Sequence, residues 1–211
     1  MFWRTEAPTR RPVGFIEPCI PTAAHKPPVG PQWIHEIKHD GYRLIVCRRD
    51  RRVRLFTRRG YDWSDRYPLV VATAEALTQD ATIDGELVVC DGAGIADFER
   101  LHSREHDCVA FLYAFDLLEL DGVDVRPLPL AERKGRLLQL LQGCPPGIQF
   151  NDHIEGDGAE IFAHACKLGF EGIVSKDRAC PYRSGPSKTW VKIKNLQAPG
   201  VLRFKERDEL A

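Results

Sequence analysis

The chain has no net charge, no long apolar run, no Cys-x-x-Cys pair and no internal repeat, and each absence closes a line of argument. Its 30 basic and 30 acidic side chains cancel. Bulk charge therefore gives no case for a nucleic-acid partner, and any such case must come from local clustering. No apolar stretch approaches the length that spans a bilayer. The opening MFWRTEAPTRRPVG lacks the apolar centre of a secretion signal, so no membrane partner is expected. Seven cysteines (Cys19, Cys47, Cys90, Cys108, Cys144, Cys166 and Cys180) are an odd number without close pairing. That usage fits a reducing cytoplasm better than a disulfide scaffold. A chain of 211 residues, 43% hydrophobic and 28% charged, has an ordinary globular composition and the length for one sizeable domain.

Chemistry concentrates in Glu36-Ile37-Lys38-His39-Asp40-Gly41-Tyr42-Arg43. A lysine that attacks a nucleotide phosphate would be served by this string. A turn presents Lys38, and an acid and an arginine stand near enough to hold ribose and phosphate. A β-hairpin explains the same residues, because Asp-Gly is a favoured two-residue turn and Lys and Arg suit exposed strands. The downstream strings decide between the two.

Residues 1–32, rich in proline, read as an extended lead with little regular structure. WIHEIK and YRLIVCRR read as strands joined at His39–Gly41, with Val53–Thr57 as a third strand of one antiparallel meander. Seven arginines from Arg48 to Arg59 crowd the second and third strands. Alternation sends Arg52, Arg54 and Arg58 to one face, either solvated or in contact with phosphate. Residues 65–77 have helical spacing. In the strand of residues 81–89, Glu86 is a carboxylate among Ile, Leu and Val that must be paired or functional, whereas an Asp-Gly turn accounts for Asp84 and Gly85. His102, His106 and Cys108 have zinc-like spacing but no fourth ligand nearby, and a metal site is not expected there. Residues 109–116 read as an apolar strand, and residues 127–142 as an amphipathic helix with Leu130, Leu137, Leu138 and Leu141 inward. Residues 159–168 read as a further helix closed by Gly169. Residues 170–176 form another short strand, with a lone acid, Glu171, at its start. In Thr189–Lys194, Lys192 and Lys194 share one strand face.

Taken together, EIKHDGYR, FTRRG, IDGEL, YAFDLLELDG, FEGIVSK and TWVKIK resemble the nucleotidyltransferase (adenylation) domain of ATP-dependent DNA ligases. The wording of FEGIVSK, PYRSG and AFDLLELDG is most like that of bacterial ligases of the non-homologous end-joining type. The likeness runs from about Phe15 to Asn195. It implies an α+β fold of two antiparallel β-sheets with flanking helices around a nucleotide cleft, the ligase adenylation or ATP-grasp-like architecture. The whole of 1–211 would be one such domain, with 1–32 as lead and 196–211 as tail.

The resemblance also implies roles. Lys38 would form the lysyl-AMP. Glu36 would accept from the adenine amino group, and Asp40 and Arg43 would lie by the ribose and phosphate. Arg58 would meet the 5′ phosphate of nicked or broken double-stranded DNA. Glu86 would bind the ribose, Phe115 would stack on adenine, and Glu171 would help place Mg²⁺ or Mn²⁺. Lys192 and Lys194 would contact the α-phosphate of ATP. Relatives of this type carry an OB-fold domain after the last motif, where only Leu196–Ala211 remain here. A protein partner that supplies the missing clamp is therefore an expectation, as is a non-catalytic end-joining accessory. RNA ligases and capping guanylyltransferases share Lys-x-Asp-Gly but not the FEGIVSK and AFDLLELDG wording. NAD-dependent ligases need a nicotinamide-binding domain that residues 1–32 are too short to form.

Overall fold

A computed structural model describes residues 11–199 and 201–202. Two mostly antiparallel sheets face each other. The first holds β1 (Cys19–Ala23), β10 (Gly185–Lys194), β9 (Gly172–Asp177) and β2 (Trp33–Ile37), in that order. The second runs β4 (Arg52–Thr57), β3 (Tyr42–Arg49), β5 (Ala81–Val88), β6 (Phe111–Leu120) and β7 (Val123–Asp124), with β8 (Ile148–Phe150) also on β6. Each sheet contains one parallel pair, β1 with β10 and β8 with β6, so the α+β fold is as expected but not strictly antiparallel. Helices α1 (Pro68–Ala76), α2 (Phe98–His102), α3 (Leu130–Leu140) and α4 (Gly158–Lys167) flank the sheets.

Strand β3 explains the layering. Its run Leu44-Ile45-Val46-Cys47 is apolar on both faces, as a strand buried from both sides must be. Leu44 and Val46 join a core that includes Val70 of α1 and Leu137 and Leu140 of α3. Ile45 and Cys47 face the other sheet, in a cluster with its Cys19, Ile34 and Trp190 and with Phe115 of β6. A third cluster, Ala165, Ile173 and Ile193, lies under α4. That helix starts at Asp157, whose carboxylate accepts from the Ala159 and Glu160 amides. It ends at Gly169, at φ +86°, in the left-handed position common after a helix C-terminus.

The expected meander is corrected at its first joint. β2 and β3 are not neighbours: β2 pairs with β9, and β3 lies between β4 and β5. Both edges of β3 are taken, so residues 38–41 cross from one sheet to the other instead of turning back. Gly41 is required there for space, since a Cβ would lie 2.1 Å from the Leu87 carbonyl oxygen. The tight turn lies one loop later, at Asp50-Arg51, where φ values of 50° and 62° match the type I′ hairpin. Asp84-Gly85 is likewise no turn. It sits inside β5 at a register shift against β6, with Asp84 fully buried.

The proline-rich lead contains β1, and its first ten residues lie outside those described. Leu138 points outward at 46% exposure. The inward stripe of α3 follows Leu130, Arg133, Lys134, Leu137 and Leu140, leaving Leu138 about 100° from Leu137. Arg133 is buried because Asp116 of β6 takes its guanidinium through Nε and Nη2 at 2.7 and 2.8 Å. Its Nη1 donates to the Leu128 and Cys180 carbonyls. This pair pins α3 to the sheet. Substituting Arg133→Leu would strand Asp116 as an unpaired buried carboxylate, so urea denaturation should show a loss of about 3–5 kcal/mol. A loss below about 1 kcal/mol would show the pair to be dispensable.

Candidate active site

The two sheets enclose a cleft of about 560 Å³. It is lined by Glu36, Lys38, Arg43, Arg58, Glu86, Phe115 and Lys192, residues drawn from distant parts of the chain. Asp40 and Glu171 line a smaller hollow of about 320 Å³ on the far side of Lys38. Lys194 joins the group through Glu171, 3.6 Å away. The ten residues to which the resemblance gave roles thus border two hollows that share Lys38, or join them through Glu171.

Lys38 lies just past the end of β2, its amide held by the Gly172 carbonyl at 3.0 Å. Its ammonium is ion-paired to Glu171, so Glu171 stands between Lys38 and Lys194. Lys192 emerges from the same strand face as Lys194. Its pKa is lowered by burial and then by the charges of Lys194, Lys38 and Arg58. Glu86 projects from β5 towards Lys38, and burial raises its carboxyl to about 7 despite Lys38 and Arg43. Arg58 is exposed at the mouth, beside Arg59, Tyr61 and Trp63.

Three further expected residues are engaged with protein groups. Arg43 lines the cleft, yet its Nε and Nη2 bond the two oxygens of Asp84 at 2.5 and 2.7 Å. Its guanidinium carbon lies 4.4 Å from the Phe115 ring centre. Phe115 is only 7% exposed, with the Lys176 ammonium 4.2 Å from its ring centre. Glu36 is buried and accepts from Lys134, Lys176 and Asn151. Burial alone would raise its pKa, but the two lysines hold it below the usual carboxylate range.

The structure adds residues that sequence reasoning missed. Asp84 accepts from Arg43 and from the Tyr182 hydroxyl at 2.6 Å. Tyr182 in turn accepts from the Cys19 amide. Lys176 lies against Trp190 as well as Phe115, and burial brings its pKa down to about 8. His39 stacks on Tyr113 at 4.1 Å. Burial lowers its pKa to about 4, which keeps the ring neutral near pH 7. The lysine ending FEGIVSK is a signal within reach, whereas nothing in the sequence around Lys134 marks it as buried. The three arginines expected on one face are alike in exposure, and a fourth member of the same cluster differs. Arg52, Arg54 and Arg58 are exposed, while Arg48 is buried on Asp80.

Among the described residues no three His, Cys, Asp or Glu side chains converge as a metal cage. His102 bonds the Tyr42 hydroxyl instead. The surroundings of Lys38 nevertheless suit a divalent ion of the magnesium kind. Such ions are commonly held by one or two carboxylates together with substrate phosphates, and Glu171 beside Lys38 and Glu86 offers that donor set.

A family model described as ATP dependent DNA ligase domain matches residues 22–194. The chain belongs to this family. Among ligase relatives, the multifunctional non-homologous end joining protein LigD of Pseudomonas aeruginosa is 40% identical over 185 residues, 85% of this chain and 22% of that protein. The SPbeta prophage-derived DNA ligase-like protein LigB of Bacillus subtilis is 29% identical, over 89% of this chain and 70% of that protein. The solved structure of mycobacterial DNA ligase D complexed with ATP and MES superposes with a TM-score of 0.75 at 34% identity. That match covers 84% of this chain and 59% of the solved one. The fold is thus that of a ligase adenylation domain. The chain spans about a fifth (22%) of the LigD proteins of Pseudomonas aeruginosa and Mycobacterium bovis. Among the described residues, no helix is long and apolar enough to cross a membrane.

Glu86 provides a test of the cleft's electrostatics. Its carboxyl titrates near 7 when folded against an ordinary 4.5, so between those values the folded protein holds a proton that the unfolded chain has lost. The stability from this group is full below that window and falls as pH rises through it. Glu86→Gln removes the dependence. Its Tm relative to the parent should rise between about pH 5 and about pH 8, and a flat difference would place Glu86 in a solvated setting.

Proposed function

We propose that the chain is the adenylating module of an ATP-dependent DNA ligase that acts on nicked or broken double-stranded DNA in end-joining repair. The observation that carries this reading is Lys38 at the meeting point of the cleft, Glu171 and the Lys192–Lys194 strand. The Lys38 amine attacks the α-phosphorus of ATP. A P–N bond forms, the P–O bond to pyrophosphate breaks, and the lysine ammonium loses two of its three protons to solvent and keeps one N–H. Lys192 and Lys194 offer positive charge where the phosphate gains negative charge. AMP then passes from Lys38 to a DNA 5′ phosphate brought in at Arg58, and attack by the neighbouring 3′ hydroxyl releases AMP and closes the strand.

A divalent ion, Mg²⁺ or Mn²⁺, would neutralise phosphate charge when bound near Glu171. The ion pair between Lys38 and Glu171 is the resting arrangement, and it must open before Lys38 is free as a nucleophile. Glu86 is suited to the ribose hydroxyls, since a carboxyl near 7 both donates and accepts around neutral pH. Full sealing draws on a DNA-gripping OB-fold domain, in the same polypeptide or from a partner. This rests on the family resemblance and on the greater length of the matched relatives.

Incubation with α-labelled ATP and a divalent metal, followed by denaturing electrophoresis, tests the first step. Label should stay on the parent protein and vanish in Lys38→Ala. Equal labelling of both would remove Lys38 from the chemistry. An unlabelled parent that still binds DNA, in agreement with the exposed Arg52, Arg54 and Arg58, would favour a non-catalytic end-joining accessory. In the same assay Mn²⁺ should support labelling at least as well as Mg²⁺, and a clear preference for Mg²⁺ would contradict this.

A further inference from the structure

We infer that Lys134, on helix α3 and outside every motif string, is a positioning residue that sets base selection by clamping Glu36 so that its remaining acceptor site takes a 6-amino purine and rejects a 6-oxo purine. The inference rests on the adenylation reading above and deepens it.

An ionised carboxylate has about four acceptor positions. Among the described residues, three of those on Glu36 are filled. Lys134 Nζ donates to Oε1 at 2.8 Å, while Lys176 Nζ and Asn151 Nδ2 donate to Oε2 at 2.6 and 3.2 Å. All four residues are buried, yet Glu36 borders the cleft. One lone pair on Oε1 is left for a ligand. The exocyclic amino group of adenine would fill it, whereas the 6-oxygen of hypoxanthine or guanine would set a lone pair against a carboxylate.

The donors are themselves held. Lys134 also donates to the Asn151 carbonyl at 2.7 Å. The Asn151 amide must turn Nδ2 towards the acceptor-only carboxylate, so its Oδ1 receives the His39 Nε2 proton at 3.2 Å. The His39 ring is in turn fixed by its stack on Tyr113.

Charge balance does not require Lys134. Lys176 alone neutralises Glu36, and a second buried ammonium costs desolvation. What Lys134 adds is direction. Without it Oε1 has two open lone pairs and the carboxylate can rotate, so a base that donates is no longer distinguished so well from one that accepts.

The test compares ATP with inosine triphosphate, which differs at the purine 6-position, in kinetics of covalent labelling. Lys134→Met keeps the side-chain volume. It should lower the ratio of kcat/KM for ATP to that for inosine triphosphate by about tenfold, mainly through a higher KM for ATP, with Glu36→Gln moving the same way. A folded Lys134→Met protein with an unchanged ratio would overturn the inference, since a mere structural prop would leave base preference alone. If Lys134→Met does not fold, Asn151→Ala must lower the ratio, and its failure to do so has the same force. If the parent forms no adduct, the adenylation reading fails separately. Calorimetric binding of the two nucleotides to parent and variants then decides base selection, with equal discrimination in all overturning it.

Discussion

A single carboxylate without access to water, that of Asp84, ties the two sheets together. It lies inside β5 and accepts both arms of Arg43 from β3, then the hydroxyl of Tyr182, which itself holds the first amide of β1 in the opposite sheet. A buried charge in this position is tolerated only because every partner is supplied. Burial of Asp84 and Arg43 thus fixes the spacing of the sheets and hence the width of the cleft. It also explains why the arginine five residues after Lys38 faces a protein carboxylate in this structure, although it borders the cleft.

Around that joint the charges alternate. Glu171 lies between Lys38 and Lys194, Glu36 between Lys134 and Lys176, and Asp116 against Arg133. Each acid is close to cations from a different element, so the floor of the cleft is braced in several directions. The exception is Glu86, which faces the opening without comparable support and has a raised carboxyl. The braced acids hold their geometry, which leaves Glu36 one oriented acceptor position, whereas Glu86 is held less firmly. Such bracing suits the proposed nucleotide site, because polar groups already oriented by their neighbours require little reordering on binding.

Much of the cleft's lining was legible in the chain because its charged residues occur in short strings. Lys38, Glu86, Glu171 and Lys192 each stood out as a charged residue in an apolar strand or beside a turn, and those strands are present. Pairing was harder to read. WIHEIK and YRLIVCRR have the alternation of neighbours around a favoured turn dipeptide, and no local signal reports that both edges of β3 are already occupied by β4 and β5. Asp84-Gly85 misled for the same reason: a turn dipeptide inside a strand is revealed only by the cation that compensates it, 41 residues away in Arg43. Buried lysines are the least legible of all. Lys134 follows Arg133 in a helix whose other charges are solvated, and only the position of Glu36 shows that this pair faces inward.

The crossing between β2 and β3 has a consequence for how the chain can vary. A hairpin absorbs an inserted residue in its loop, because both of its strands belong to one sheet and the loop is free to bulge. Residues 38–41 have no such slack. One end is tied by the Lys38 amide to Gly172, the other by Arg43 to Asp84, and at Gly41 between them the Leu87 carbonyl leaves no room for a Cβ. The segment acts as a ruler of fixed length between two rigid bodies. An extra residue there would dislodge either the lysine or the joint that sets the cleft, so its length is constrained as tightly as its side chains.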